Sequence, residues 1–479
     1  MAMIKDMLAQ AMQKAKSLGA DYADIRLKDI QMETLAMENG ILAAAMTDRS
    51  QGYGVRVYVD GAMGFAASQE LSDLEETVQE AYRIAKASLT LQASKAQLSA
   101  KEPAVGSYCT PILEDPLAVP FVDKINLLTE CYQATLDVKG VSYSMFTLEA
   151  RKDDVIFADT DGSYIEQKFC QCSGIMDVSA QSDTDKQSRT SVNVERGGYE
   201  TIQAMNLPAV AARLSKEVVE LVNAPECPSG EFDLVINPNQ LFLQIHESIG
   251  HPTELDRVLG SEAAFAGRSF LEPGDAGNLT YGSKHVTVVA DATCPKGLGT
   301  FNYDDEGVPG QCVTLIDKGK FVAFQTSRDN APVMGRPSSG GGLADGWENL
   351  PIVRMTNINL LPGSGTPEDL IAGVEYGFLL DQNKSWSIDD LRVNFQFACQ
   401  VAYEIKDGKL TGRMFKNPIY AGKTTEFWGS CDGVAGPEYW QLVGTPNCGK
   451  GQPMQLMRVS HGSSPARFRK VKVGVSDVK

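Results

Sequence analysis

Residues 23–68 read ADIRLKDIQMETLAMENGILAAAMTDRSQGYGVRVYVDGAMGFAAS, and apolar and polar residues alternate along much of this segment. Alternation with a period of two is typical of strands that bury one face. The pattern is interrupted at Glu38-Asn39-Gly40 and at Asp60-Gly61, and Asn-Gly and Asp-Gly pairs favour two-residue hairpin turns. The segment is therefore predicted to form an antiparallel meander.

A second strand-like segment covers residues 141–195, with a turn predicted at Asp161-Gly162. Amphipathic spacing of apolar residues predicts helices around the two segments, at about 1–20, 72–85, 121–136 and 207–222. The proline-rich residues 92–118 are predicted to be a long irregular connection. We therefore expect residues 1–223 to form an N-terminal α/β domain of antiparallel meanders and helices.

The composition changes after APECPSGE, residues 224–231, which is typical of a domain boundary. Two hairpins of similar design are predicted beyond it, at 312–325 and 399–415. The Gly-rich residues 335–351 between them are predicted to be a mobile surface loop. Residues 224–479 are thus expected to form a β-rich C-terminal domain, which gives an α+β fold overall.

The chain has 479 residues and a formal net charge of −17, with 43% hydrophobic residues, so it can bury a sizeable core. Such an acidic chain is poorly suited to neutralising phosphates, so no direct contact with nucleic acid is expected. No apolar run approaches the ~20 residues that span a bilayer, and the N-terminus does not resemble a signal peptide. We expect a cytoplasmic protein without a membrane segment, whose ten cysteines are free thiols.

Two of the four histidines lie in QLFLQIHESIGHPTELD, residues 240–256. The apolar residues before His246 predict a helix, which places His246 and Glu247 late on that helix and His251 at or just past its end. Two neutral imidazoles bind Zn²⁺ well, and a neighbouring carboxylate can take the proton of a metal-bound water whose pKa falls towards about 7. The residues therefore predict a zinc site for hydrolysis, with His246 and His251 as ligands and Glu247 as the general base.

The spacing is HExxxH, one residue longer than the familiar HExxH. On a regular helix, residues i and i+4 lie about 40° apart around the axis, whereas i and i+5 lie about 140° apart. Both rings can face one ion only if the helix contains a π-bulge or ends before His251. Gly250 can adopt unusual backbone angles and Pro252 disfavours helix at His251, so the local sequence permits this break.

A catalytic zinc usually has three protein ligands and one open position. Composition and spacing do not choose the third ligand, and they leave open Glu254, Asp256, His285, His461, Cys431 and Cys448.

The sequence resembles the TldD/PmbA family of metalloproteases over nearly its whole length. Six blocks are similar to the family's blocks and occur in the same order, namely GADYADIRL (19–27), IHESIGHPTELD (245–256), YDDEGVPGQ (303–311), RMTNINLLPG (354–363), GVEYGF (373–378) and NCGKGQP (447–453). Because the HExxxH motif is present, the chain resembles the catalytic TldD type and not the partner type that lacks the motif.

The resemblance implies a third metal ligand near the C-terminus, which corresponds to Cys448, with Cys431 as the competitor. His461 is expected to be unrelated to the metal. The resemblance also implies peptide substrates in an unfolded or extended form, bound as an added strand. It further implies a dimer around an enclosed cavity, formed with another copy or with a non-catalytic paralogue.

Two other hypotheses use the same residues. One is a non-catalytic regulatory or binding protein with a structural metal, although two histidines and one distant cysteine fit a closed four-ligand site poorly. The other is a metal hydrolase that acts on a non-peptide amide, which the sequence does not separate from a peptidase.

Overall fold

The computed structural model of the chain describes residues 2–91, 95–264 and 267–474. The strands of the first half are β1 (Tyr22–Glu38), β2 (Ile41–Val59), β3 (Ala62–Ser68), β4 (Val105–Cys109), β5 (Val141–Asp159), β6 (Tyr164–Gln181) and β7 (Lys186–Arg196). Its α-helices are α1 (Ala2–Leu18), α2 (Leu74–Ser88), α3 (Phe121–Leu136), α4 (Tyr199–Ala204) and α5 (Leu207–Val222).

These strands form one sheet in the order β3-β2-β1-β5-β6-β4, and β7 also pairs with β6. The predicted meander over residues 23–68 is confirmed as β1, β2 and β3. Both predicted turns use positive φ angles, at Asn39 (47°) and Gly40 (80°) and at Asp60 (51°) and Gly61 (81°). Such angles match the twist of the flanking strands, which explains why Asn-Gly and Asp-Gly stand there.

The predicted irregular connection over residues 92–118 is partly wrong. Residues 105–109 form β4, which pairs in parallel with β6 at the edge of the sheet. Its side chains alternate only between exposed and half-buried positions, so the sequence has little of the apolar alternation that marks a strand. Residues 92–94 of that prediction lie outside the described residues.

The helices of the first half cover the sheet with two apolar clusters. Helices α3 and α5 contribute Leu128 and Leu214 to one cluster, which also contains Phe146 of β5. Helices α1 and α2 pack against β1 and β2 in the other, where Val55 and Val78 are fully buried. The amphipathic spacing of these helices therefore marks the faces that bury against the sheet.

The second half, from residue 224 onward, is richer in strands than in helices. Its strands are β8 (Gly230–Ile236), β9 (Val288–Asp291), β10 (Cys312–Asp317), β11 (Lys320–Phe321), β12 (Gly342–Leu343), β13 (Ile352–Val353), β14 (Ile358–Leu360), β15 (Tyr376–Ile388), β16 (Asn394–Lys406), β17 (Lys409–Lys416), β18 (Ile419–Lys423), β19 (Cys431–Val434), β20 (Gln441–Lys450), β21 (Gln455–Ser463) and β22 (Ala466–Val473). Its helices are α6 (Pro238–Ile245), α7 (Leu255–Val258), α8 (Pro367–Ala372) and α9 (Thr424–Gly429).

The main sheet of this half has the order β15-β8-β22-β18-β16-β17, and β15 also pairs with β16, so the sheet closes on itself. Helix α6 follows β8 directly and packs into a core that includes Trp428, Phe397 and Phe468. Separately, β20 and β21 form a two-stranded sheet. The predicted α+β class, with a β-rich second half that carries the helix of the histidine motif, is confirmed.

Within the described residues, every strand of the first sheet precedes the predicted boundary between residues 223 and 224, and every strand of the other sheets follows it. Buried ion pairs connect the two halves. Arg56 of β2 bonds to Asp24 at 2.6 Å and to Glu306 of the second half at 2.7 Å, and Lys28 bonds to Asp305 at 2.9 Å.

The prediction of a mobile surface loop at residues 335–351 is wrong. Residues 340–344 are buried, and β12 lies among them. The Trp347 indole donates to the Ser50 hydroxyl at 3.0 Å, and its ring lies where a Cβ on Gly52 would stand. The glycines let this segment pack closely against β2, so it connects the second half to the first sheet.

No helix in the described ranges is long and apolar enough to cross a membrane.

Candidate metal centre

The histidine motif lies where α6 changes its hydrogen-bonding pattern. Helix α6 ends at Ile245, residues His246–Gly250 form a π-helical turn, and residues His251–Thr253 form a 3₁₀ turn. Of the two predicted alternatives, a π-bulge or an end of the helix before His251, the structure has the π-bulge. It brings the rings of His246 and His251 to 4.7 Å between centroids, although the two residues are five positions apart.

The role predicted for Gly250 is wrong. Its φ of −56° and ψ of −65° are ordinary helical angles, so no special backbone conformation is needed. Instead, a Cβ at this position would lie 2.3 Å from the Met355 sulfur. The missing side chain therefore lets Met355 pack directly against the turn, and a larger residue would have to displace the Met355 side chain.

Three possible metal ligands meet at this turn. One ligand atom from each of His246, His251 and Cys448 lies within 4.8 Å of the others, and all three residues are buried. The Cys448 sulfur is 3.8 Å from His251 Nε2. Zinc bonds of ~2.3 Å to sulfur and ~2.0–2.1 Å to nitrogen at a tetrahedral angle place those two atoms about 3.6 Å apart, so the arrangement fits zinc.

Hydrogen bonds on the far side of each ring determine which nitrogen faces the centre. His251 Nδ1 is 2.9 Å from a carboxylate oxygen of Glu254, which can only accept, so Nδ1 carries the hydrogen and Nε2 keeps its lone pair. His461 Nδ1 faces the Ile358 carbonyl at 3.3 Å, so its Nε2 accepts from His246 Nδ1 at 2.8 Å. Because Nδ1 of His246 carries the hydrogen, its Nε2 keeps a lone pair that can bind a metal.

The protonation of these groups suits a metal site as well. Burial lowers the pKa of His246, and it lowers the pKa of His251 further, which favours neutral imidazoles. Burial raises the pKa of the Cys448 thiol, but nearby positive charge, including that of the Arg354 guanidinium, lowers it by more, so its net shift is downward. Two neutral imidazoles and a thiol that ionises readily form a donor set that zinc prefers.

The centre opens onto a cavity of about 880 Å³. Glu247 lines the same cavity, and its Oε2 accepts from Arg392 Nη1 at 2.6 Å. Arg392 lies at the tip of the β15–β16 hairpin, 145 residues from Glu247, and has a positive φ of 63°. Sequence reasoning missed Arg392, because neither its neighbours nor its spacing relates it to the motif.

The other candidates for third ligand have different positions. The Glu254 carboxylate accepts a hydrogen bond from His251 Nδ1, on the side of the ring away from the ligand cluster. The Asp256 carboxylate forms an ion pair with Lys450 at 2.7 Å. His285 is exposed, and Cys431 is buried in β19 with its sulfur 3.9 Å from the Gly433 carbonyl. The structure thus brings Cys448, and neither Cys431 nor His285, to the two motif histidines.

The expectation that His461 is unrelated to the metal is wrong, since its ring supports His246. Antiparallel pairing explains the position, because β21 carries His461 and pairs with β20, which carries Cys448. In this hairpin His461 lies opposite Val443 and Cys448 lies opposite Met457, so the two residues reach His246 from different positions along the same pair of strands. A hairpin turn recognised between residues 450 and 455 would have indicated that β20 pairs with β21.

Three domain models of the PmbA/TldA metallopeptidase family match the chain. Domain 1 matches residues 23–85, the central domain residues 114–224 and the C-terminal domain residues 229–475. Together these models cover most of the chain, and the C-terminal one includes the whole metal centre.

Curated relatives match along almost their full length. The chain is 29% identical over 455 residues to a metalloprotease of Methanothermobacter thermautotrophicus, with 95% of each chain covered. It is 28% identical over 421 residues to a metalloprotease of Methanocaldococcus jannaschii, with 86% of this chain and 89% of that one covered. A zinc metalloprotease TldD homolog of Saccharolobus solfataricus is 23% identical, with 96% and 98% covered.

Solved structures share the fold. The structure of TldE from Thermococcus kodakarensis has a TM-score of 0.76 at 17% identity and covers 98% of this chain and 100% of that one. A Thermotoga maritima protein has a TM-score of 0.80 at 17% identity with the same coverage. At such low identity these likenesses concern the fold alone.

Cys448→Ser is expected to lose zinc, because an alcohol is a much poorer ligand than a thiolate. Cys431→Ser is the matched control, since Cys431 is equally buried but lies outside the cluster, and it is expected to keep about one zinc per chain. Elemental analysis after gel filtration measures both. Loss of zinc from the Cys431 variant alone would mean that the wrong cysteine has been assigned.

His461→Leu is expected to weaken zinc binding by ~10–100-fold, since an outer hydrogen bond to a ligand imidazole typically contributes that much. His461→Gln can still accept from His246 Nδ1 and is expected to recover part of the affinity. His285→Leu, at an exposed histidine, is the control. A chelator competition titration gives the affinities, and equal values for the Leu variant and the parent would contradict the assigned role.

Proposed function

The chain belongs to the PmbA/TldA metallopeptidase family, and we propose that it is a zinc-dependent peptidase that hydrolyses unfolded or extended peptides, with Glu247 as the general base. The observation that carries this proposal is that His246, His251 and Cys448 converge at the wall of a cavity that Glu247 also lines.

Zinc bound by these three residues would act as a Lewis acid on the scissile carbonyl and lower the pKa of a water molecule. Glu247 is adjacent to His246 on the π-helical turn, but its carboxylate is bonded to Arg392 and is not part of the ligand cluster. It is therefore free of metal coordination and can accept a proton at the cavity surface. Arg392 fixes the position of that carboxylate, which is the preorganisation that proton transfer requires.

The strand that lines the cavity supports an extended peptide as substrate. Residues 443–449 of β20, which include Cys448, line it, and β20 pairs only with β21 within the described ranges. A strand with one open edge can bind an extended peptide through main-chain hydrogen bonds, which gives affinity with little dependence on side chains. Trp386 and Phe242 add apolar surface for alternate side chains of the peptide.

We further propose that the chain works in association with a second chain, which is either another copy or a paralogue without the motif. An unpaired edge supports this proposal. Within the described residues, β3 pairs with β2 only from Tyr53 to Val59, so the outer edge of residues 41–52 has no strand beside it. Ile41 and Met46 on this segment are 72% and 58% exposed, and an open apolar edge favours pairing with another chain.

Glu247→Gln is expected to keep zinc and the fold but to cut peptides ~10²–10⁴-fold more slowly, because the amide does not accept a proton at neutral pH. Glu375→Gln, at an exposed glutamate, is the control. Metal-replete variants are incubated with an unfolded peptide library, and the fragments are quantified by mass spectrometry.

If the Gln variant cleaves peptides at the parent rate with zinc bound, Glu247 is not the base. If the zinc-loaded parent leaves peptides intact, the peptidase proposal is wrong, and either a regulatory protein with a structural metal or a hydrolase of non-peptide amides takes its place.

Light scattering of the parent chain is expected to give twice its mass of 51.8 kDa, or that mass alone with full activity appearing only when a motif-free paralogue is added. Replacing Ile41 and Met46 by lysine should prevent association, because charges on an open edge oppose strand pairing. Leu113→Lys, at a residue that is 89% exposed on another surface, is the control. A solitary monomer that is fully active at assay concentration would contradict the proposal.

A further inference from the structure

A second cavity, of about 70 Å³, lies between the first sheet and the second half of the chain. Three arginines line it, Arg151 on β5, Arg196 at the end of β7 and Arg458 on β21. It shares no lining residue with the cavity at the metal centre. Neither the proposed catalysis nor the ion pairs between the two halves require this cluster of arginines.

The charges of this cavity are not balanced. Arg151 Nε bonds to Asp153 at 2.7 Å, and Lys28 bonds to Asp305 at 2.9 Å. A third carboxylate, that of Asp345, accepts from the Leu456 backbone N–H at 2.9 Å. Four cationic and three anionic side chains therefore line the cavity, which leaves one positive charge in excess.

Two of the guanidinium groups form no ion pair with a carboxylate of the described residues, and the Asp153 carboxylate acts on both only at longer range. Arg196 donates to the Leu298 carbonyl at 2.8 Å, but its buried Nε has no hydrogen-bond partner in the described part of the chain. The Arg458 side chain forms neither a hydrogen bond nor an ion pair with any described residue, and the Asp153 and Asp345 carboxylates act on it only at longer range. Burial lowers the pKa of Arg196 and of Arg458 to about 10, so both remain charged at neutral pH.

The walls of the cavity hold these donors in fixed directions. The Arg196 guanidinium lies 4.4 Å from the centre of the Phe169 ring, a stacking contact that limits its rotation. Phe301, Leu343 and Met457 provide apolar surface around the same space. One water needs ~10–15 Å³, so the cavity has room for a group of several heavy atoms.

We propose that this cavity is a binding site for a small oxyanion, a phosphate or a carboxylate, held by Arg196 and Arg458. Planar guanidinium groups recognise such oxygens through paired, charge-assisted hydrogen bonds. The anion balances the excess positive charge and satisfies the unpartnered Nε of Arg196. This site is independent of the proposed peptidase activity.

The site lies close to the metal centre along one strand. Met457, which lines the cavity beside Arg458, is the strand partner of Cys448, and His461 is three residues beyond Arg458 on β21. An anion bound to Arg458 would therefore contact β21, the strand that also carries His461, whose ring accepts the hydrogen bond from His246.

The test uses the full metal-replete chain in Tris chloride and isothermal titration with inorganic phosphate and, separately, with acetate. Saturable binding of one anion per chain is expected, and the tighter of the two identifies the source as phosphate or carboxylate. Arg458→Gln and Arg196→Gln should each weaken that binding roughly tenfold or more, since a hydrogen bond to a charged group contributes about 1.5–3 kcal/mol. Arg336→Gln, at an exposed arginine, should leave it unchanged.

Thermal unfolding of each variant checks that it is folded, and Arg458→Lys, which keeps the charge, serves if a Gln variant is not. Absence of saturable binding of both anions to the parent would overturn the proposal. So would equal binding by the parent and by folded variants of Arg196 and Arg458.

Discussion

The candidate metal centre depends on the π-helical turn of His246–Gly250, which accommodates one more residue between the two histidines than a regular helical turn would. Such a turn leaves backbone carbonyls without regular helical partners, and buried carbonyls need donors. Side chains from distant segments supply them. Tyr281 donates to the Ser248 carbonyl, and Gln325 Nε2 donates to the Gly250 carbonyl at 2.9 Å. Residues in the core of the second half therefore stabilise the π-helical turn, which brings the rings of His246 and His251 together.

Buried charges connect the turn to the strand that carries the third ligand. Lys450, two residues after Cys448 on β20, is fully buried and bonds to Asp256 at 2.7 Å and to Glu254 at 3.4 Å. Glu254 in turn bonds to His251. Removing one member would leave the others as uncompensated buried charges, which typically destabilises a protein by ~3–5 kcal/mol. This charged cluster therefore connects residues 253–256 with residues 447–450, and so helps to fix the distance between His251 and Cys448.

The parts of the fold and site that the sequence predicted are those with a local signal. The meander at 23–68 has alternation and turn residues, and the HExxxH spacing indicates that the regular helix is interrupted between the two histidines. The support of His246 by His461 and the bond of Glu247 to Arg392 depend on strand pairing and on a hairpin tip, which local patterns do not specify. The prediction of a mobile loop at residues 335–351 was wrong for a related reason, because glycine permits both mobility and close packing. The contact of Trp347 with β2, which the local sequence does not specify, shows that close packing applies here.

The first sheet takes part in the site although it contributes no metal ligand. Residues 190–193 of β7 line the metal cavity, and Arg189 beside them is buried with its guanidinium 2.9 Å from Asp381 on β15. Gln400 on β16 exchanges two hydrogen bonds with Thr190, at 3.0 Å and 2.7 Å. These contacts hold β7 in the wall of the cavity that β20 also lines, so the cavity is built from both halves of the chain. Separating the halves would break this ion pair and these hydrogen bonds and open the cavity beside the candidate metal site, so the integrity of the site depends on both halves of the chain.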